Sequence, residues 1–447
     1  MISTNRKNNV IAKPPAAKWA STYTTAIGLD LPTILGKLSN LFIIVGFTVF
    51  IGGGVQLLII LRGAEGFSNL EGDLPSQIIY FLVYVVSLFF LILSNRKIKL
   101  GMVENILFWL LLFWTCISVI WSSAPWVTTR HVIALCGTTL FSVYVVNNVG
   151  MQKYIKLLAI SLLVINISSY FVILFFPDIG IGHVVSAEWK GIFTHKNHLG
   201  KAASLSVLIF FYLFLTVKKG KWVWFAGLLA SAGLLAGGQS AAATIISVIT
   251  IIVMGAFYLA KKMPLLLWIM ILGILVFLFL FLLLFPIPNG SQILGYFGKD
   301  ETLTGRTQLW DFSIHMALRK PWLGYGYGAF WLGSKGPSSE AWAGMRMGMD
   351  ITHSHNGFIE IALGVGGVGL FLSIAAYLQG IFRAIKFQSK KASGVHYAIY
   401  LFLLLWILPY NFTEQAFLYR NNIFWVLFSS VVLYLIKGGA ARDEFDT

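Results

Sequence analysis

Apolar residues in this chain do not alternate with polar ones. They run in blocks, repeatedly close to the roughly 20 residues that cross a ~30 Å hydrocarbon core as a helix. A membrane barrel would show alternating segments of about 10 residues instead. The blocks fall at Leu41–Leu61, Ile78–Leu93, Val103–Trp121, His131–Val146, Leu157–Phe176, Leu199–Thr216, Trp222–Leu235, Ala241–Leu259, Leu265–Phe285, His355–Leu378, His396–Leu408 and Asn422–Leu435. The pattern predicts an all-α polytopic membrane protein with about twelve transmembrane helices. Its expected sections are an N-terminal tail (1–40), spans one to nine (41–286), a large, partly helical loop (287–354), spans ten to twelve (355–436) and a C-terminal tail (437–447). The first tail lacks the charged, apolar, small-residue order of a cleavable signal peptide, and is expected to end in an amphipathic piece around Leu29–Leu38.

Composition agrees: 57% of the 447 residues are hydrophobic and 11% charged, with a mean hydropathy of +0.80, against about 25% charged residues in soluble domains. The net charge of +16 does not point to nucleic acid, because the bases are scattered among connectors and form no compact basic domain. Short connectors holding Arg96-Lys97-Lys99, Lys153-Lys156, Lys218-Lys219-Lys221, Lys261-Lys262 and Arg383-Lys386-Lys390-Lys391 are almost free of acid. Such connectors stay in the cytoplasm, which puts both termini there and the alternate connectors outside. Of the eight histidines only His396 then falls inside, while 131, 183, 195, 198, 315, 353 and 355 lie at or beyond the outer interface. Cys116 and Cys136 fall within predicted spans, so no disulfide framework is expected.

Three polar islands share that outer face: Thr194-His195-Lys196-Asn197-His198, Gly305-Arg306-Thr307-Gln308-Leu309-Trp310, and His353-Ser354-His355-Asn356. Ionisable groups beside a bilayer are costly to keep, so a common face suggests one site. Apolar positions 309, 312, 316 and 318 read as a helix lying on the membrane surface. After it, Gly324-Tyr325-Gly326-Tyr327-Gly328-Ala329-Phe330-Trp331 reads as a flexible turn on which sugar rings could stack; solvated arginine and headgroup-anchored aromatics are the structural alternative. His353-x-His355 offers two imidazoles to a metal, but no local spacing supplies a third ligand. A helix cap and a catalytic base are the other readings, the base because imidazole titrates near neutrality. Glycines 364, 366, 367 and 369 behind it are expected to allow close helix packing. Lys196 with His195 and His198 makes a cationic, donor-rich spot suited to an anion or a sugar; snorkelling at the interface is the alternative. Arg130 reads as an interfacial anchor when taken alone. Arginine forks match phosphate oxygens, so the set fits a membrane-anchored diphosphate carrying a sugar.

The order of these motifs resembles the bacterial O-antigen ligase and Wzy-type polymerase superfamily. The Gly-Arg-Thr-x-Leu-Trp segment and the His-Asn-x-x-x-Glu span head carry the likeness. Gly191-Ile192-Phe193-Thr194-His195-Lys196-Asn197-His198-Leu199-Gly200, Trp121-Ser122, Thr129-Arg130, and Asn411-Phe412-Thr413-Glu414 with Asn421-Asn422 and Trp425-Val426 are similar to its exopolysaccharide polymerase branch. The resemblance implies a GT-C-type glycosyltransferase of the bacterial inner membrane, working on the periplasmic side without a metal or other cofactor. It would pass a glycan from undecaprenyl diphosphate to an acceptor sugar hydroxyl with inversion. A flippase and a chain-length regulator are further partners it suggests, beside membrane lipids. By motif, Arg306 would hold the diphosphate and His355 would deprotonate the acceptor. Arg130, His195, Lys196, Asn197, Gln239, Trp310, His353, Asn356, Glu360 and Glu414 would line the substrates. Ligases of this superfamily carry a Ser-Arg pair in the outer turn between spans seven and eight. Here that turn reads Gly237-Gly238-Gln239-Ser240-Ala241, leaving Lys196 or Arg130 to supply the second positive charge. Polymerase is the favoured reading and ligase the alternative. Rivals are a metal-dependent GT-C enzyme using Glu71-Gly72-Asp73, and a transporter or flippase, which would keep broken helices and ionisable groups at mid-membrane.

Overall fold

The computed structural model describes residues 31–61, 74–94, 98, 100–182, 187–259, 306–333, 336–339, 352–389 and 394–435. The expected span Leu265–Phe285, His183, Glu71 and Asp73 lie outside them. In chain order the helices are α1 (Leu31–Ile51), α2 (Gly53–Leu61), α3 (Leu74–Leu93), α4 (Ile106–Ile117), α5 (Pro125–Asn148), α6 (Met151–Phe175) and α7 (Pro177–Gly180). They continue with α8 (Lys196–Thr216), α9 (Lys221–Gly238), α10 (Ala241–Leu259), α11 (Arg306–Arg319), α12 (Gly357–Ser389), α13 (Gly394–Thr413) and α14 (Ile423–Tyr434). Among the described residues seven helices are long and apolar enough to cross a membrane, and α4, α13 and α14 supply shorter apolar stretches. Large apolar side chains such as Ile92, Leu174 and Phe371 stand about two-thirds exposed on their outer faces. Only a hydrocarbon surround makes such a surface stable, and the chain is a multi-pass membrane protein.

The first apolar block is two helices rather than one span. Helix α1 begins at Leu31, taking in the stretch expected to be an amphipathic end of the tail, and stops at Ile51. Gly52, at φ +98°, turns the chain into α2. That turn sets Gly53 so close to Ile192 that a Cβ would lie 2.6 Å from its Cδ1. It also brings the Gln56 amide oxygen within 3.1 Å of the Thr194 N–H and 3.2 Å of its hydroxyl.

Inside the bundle, where water cannot serve the polar groups, serine, threonine and asparagine join helices instead. Trp406 donates to Ser204 across α13 and α8, Trp425 to Thr139 across α14 and α5, and Asn166 to Ser231 across α6 and α9. Ser429 and Ser142 are paired at 2.7 Å. Every residue of α14 is buried, and α8 packs against α9 and α10 at the centre.

The glycine-rich head of α12 behaves differently from the close-packing stripe expected of it. Gly366 adopts φ 70°, ψ −174°, so the helix is broken there. The loop after α11 wedges in: the N–H groups of Tyr325 and Gly326 bond Leu363 O and Gly364 O, and the Gly367 N–H bonds Pro321 O. Trp114 takes the Val365 carbonyl at 2.9 Å. Non-helical backbone at membrane depth is tolerated when protein satisfies it in this way. Each of the carbonyls of Leu363, Gly364 and Val365 thus accepts a hydrogen bond from protein.

The wedge also corrects the expectation of a flexible sugar-stacking turn. Tyr325, Tyr327, Phe330 and Trp331 are buried, between 2% and 8% exposed. Tyr325, Phe330 and Trp331 form a small core with Leu309, Met316 and Leu363. Helix α11 accordingly turns Leu309 and Met316 onto that core, while Leu318 faces outward. Two of the four positions expected on a membrane surface are interior, and Phe312 packs against the same cluster.

Candidate active site

The first island is built by a cap. His195 sits in extended conformation before α8, and its Nδ1 accepts the Asn197 N–H at 3.1 Å. That assigns the ring proton to Nε2, and burial pushes this imidazole below its usual pKa against an opposing pull from Glu414. Asn197 Oδ1 accepts from the Ser240 hydroxyl at 3.3 Å, tying the island to the turn after α9. There Gln239 closes the helix in left-handed conformation, at φ 50°. Lys196 pairs with Glu188, so its charge is matched within the chain.

The third island is a tight turn ahead of α12. His355 has φ 52°, a left-handed conformation that costs a β-carbon-bearing residue of order 1 kcal/mol or more. Surrounding bonds hold it there. Glu360 Oε1 accepts the Ser354 N–H and, at 2.8 Å, the Trp331 indole N–H. Asn356 Oδ1 accepts from Phe358 N and Ile359 N, capping the helix. Both residues, expected to touch substrate, here fix the turn. Gly357 lies flat on the Asn411 side chain, where a Cβ would overlap its amide. Asn411 in turn accepts the Ala416 and Phe417 N–H groups, folding the chain sharply after α13.

That fold delivers Glu414. Its Oε2 lies 3.3 Å from His353 Nε2 and 3.5 Å from Lys201 Nζ, and its Oε1 lies 3.5 Å from His355 Nδ1. The two imidazoles are 4.0 Å apart at their centroids, with their planes tilted by 49°. They are about one-third exposed, whereas the Glu414 and Lys201 side chains are 13% and 15% exposed. The carboxylate is thus the floor and the imidazoles the mouth. Burial alone would raise the Glu414 pKa, but Lys201 and the two histidines outweigh it and hold the group well below the ordinary carboxylate range.

The second island meets the third directly. Trp310, one turn along α11 from Arg306, donates its indole N–H to Ser354 O at 2.8 Å. The backbone of Arg306 opens α11; its side chain lies outside the described part. His198 on α8 is within electrostatic reach of Lys201, Glu414, His195 and His353, which joins the first island to the same floor. Arg130 and Arg420 both act electrostatically on His131, and Arg420 acts likewise on Tyr327 of the wedge.

Lys201 and Arg420 escape a reading by islands. Lys201 stands one helical turn beyond Asn197 and His198, on the face those residues share; the i+3 and i+4 spacing was the available signal. Arg420 adjoins the Asn421-Asn422 pair but falls between short polar stretches. Three ligand-capable groups also meet here that sequence spacing could not join, since no ligand atom of His353, His355 and Glu414 is more than 4.8 Å from another.

Chemically, the arrangement is an imidazole with a carboxylate behind it at a half-open mouth. If Nδ1–H of His355 points to Glu414, Nε2 is left as a proton acceptor, the logic of a base held in one tautomer by a buried acid.

Residues 225–374 match the family model described as Wzy_C, O-antigen ligase. The chain is also 28% identical over 311 residues to the exopolysaccharide production protein ExoQ of Rhizobium meliloti (strain 1021), covering 66% of this chain and 69% of that protein. The matched segment contains α11, the wedge and the head of α12, the elements that carry Trp310, His353 and His355. Over these segments the chain is similar to the O-antigen ligase family and to a protein of exopolysaccharide production.

Proposed function

We propose that this protein is a glycosyltransferase that takes a glycan from undecaprenyl diphosphate and joins it to an acceptor sugar hydroxyl on the periplasmic face, as a polymerase of exopolysaccharide or O-antigen repeats. The observation that carries the reading is the meeting of His355, Glu414 and Lys201 beneath the turn on which Trp310 of α11 is docked. His355 Nε2 takes the acceptor proton. The acceptor oxygen attacks the anomeric carbon from the side opposite the phosphate, the carbon–oxygen bond to the diphosphate breaks, and the lipid diphosphate leaves with the electron pair. The sugar is inverted. Glu414 stabilises the imidazolium that forms, and Arg306 meets the charge on the leaving diphosphate. A positioned base contributes roughly 10²–10⁴-fold, and a donor aimed at developing charge about 2.7–4 kcal/mol. A lipid diphosphate is a good leaving group, so no metal is required.

Similarity to an exopolysaccharide production protein and a turn after α9 that reads Gln239-Ser240 without arginine favour polymerase. Transfer to another acceptor, as a ligase, is the second reading. The test is purified protein given a lipid-linked repeat unit. Chains longer than one repeat together with free lipid diphosphate are expected, undiminished by chelator. Movement of the lipid across vesicles with no diphosphate released would make it a flippase.

A further inference from the structure

The group formed by His353, His355 and Glu414 has a second capacity, set by its geometry. A tetrahedral zinc site with bonds of about 2.0–2.1 Å has ligand atoms roughly 3.3–3.4 Å apart. His353 Nε2 lies 3.3 Å from Glu414 Oε2 and His355 Nδ1 lies 3.5 Å from the other oxygen, Oε1, so the carboxylate faces one imidazole with each oxygen. All three ligand atoms lie within 4.8 Å of one another. The ligand set is two imidazoles and a carboxylate, and the imidazoles, about one-third exposed, leave a way in. We propose that these residues form a site for a divalent transition metal of the zinc class, in competition with the ammonium of Lys201 for Glu414.

The competition follows from charge. Lys201 Nζ is 3.5 Å from Glu414 Oε2, and a dication seated on the same carboxylate would face that ammonium at short range. Metal therefore enters as Lys201 is displaced. Tautomer logic gives the consequence. A metal on His355 Nδ1 uses the lone pair there and puts the ring proton on Nε2, whereas base catalysis needs the proton on Nδ1 and the lone pair on Nε2. The bound metal would silence the base instead of assisting it. This consequence rests on the proposed transferase reading, but the binding does not.

The test uses the full chain in detergent, titrated with Co(II) and then Zn(II). One Co(II) per chain with the intense visible absorption of tetrahedral cobalt is expected, displaced by Zn(II). His353→Ala should weaken binding by more than the roughly 10–100-fold typical of losing an outer-shell partner. Lys201→Met should tighten it, and metal should raise the melting temperature of that variant. Absence of saturable binding, or binding unchanged in His353→Ala and Lys201→Met alike, would overturn the site. Transfer assayed separately should fall as Zn(II) occupies the site. Binding with activity intact would refute the tautomer consequence and the base role of His355 while leaving the metal site standing.

Discussion

At the scale of single residues, the site is a solution to a burial problem. A carboxylate and an ammonium at 13% and 15% exposure survive because each is matched: Glu414 by Lys201 below and two imidazoles above. Removing one member of such a buried pair strands the other, at a typical cost of about 3–5 kcal/mol. Glu414→Gln should therefore lower the unfolding midpoint as well as transfer, and a variant that melts like wild type would show the pair to be solvated. Trp310 makes a narrower contact. Trp310→Phe keeps an aromatic ring at this position but drops the bond to Ser354 O, for about 0.5–1.5 kcal/mol. Its expected signature is reduced turnover with little change in melting, because the loss loosens the turn under His355. Equal turnover would make the docking of α11 irrelevant to the chemistry. Sequence placed His355 at a span head with three readings open, metal ligand, helix cap or base. Its partner was legible only as a motif member, because Glu414 lies 59 positions away and reaches it through the turn after α13.

Among the elements, the broken head of α12 was the hardest to foresee. Gly364, Gly366, Gly367 and Gly369 read equally well as a surface for close helix contact. What decides is φ 70° at Gly366, which a β-carbon would strain, together with the Trp322 carbonyl lying where that carbon would go. The aromatic wedge was misread for a related reason: Gly-Tyr-Gly-Tyr-Gly has the composition of a mobile loop, yet its backbone N–H groups are what the freed carbonyls of α12 require. Gly366→Ala should destabilise by more than the 1–3 kcal/mol typical of a strained residue, since a carbonyl must also move. The measurement is thermal melting in detergent. An unchanged midpoint would mean that the helix can run straight and that the wedge is optional. The amphipathic pattern of α11 was correct in period and wrong in partner. Periodicity reports that a face is apolar, not whether lipid or protein covers it.

For the whole molecule, sequence blocks gave the helical membrane class directly, because their lengths are dictated by the bilayer. They could not show that α1 and α2 bend at Gly52 to reach Thr194, or that Lys201 of α8 and the His353–His355 turn share the Glu414 floor while Trp310 docks on that turn. Convergence is a property of packing, carried by contacts such as Trp406 to Ser204 and Asn197 to Ser240. If the polymerase reading holds, cells lacking this protein should accumulate single-repeat glycan; full-length polymer stranded on its lipid carrier would point to ligase instead. The most direct measurement is single-turnover transfer by purified His355→Ala protein from a lipid-diphosphate-linked glycan, beside donor binding by the same preparation. We predict transfer slowed roughly 10²–10⁴-fold with donor affinity unchanged. Transfer at the wild-type rate would contradict the account.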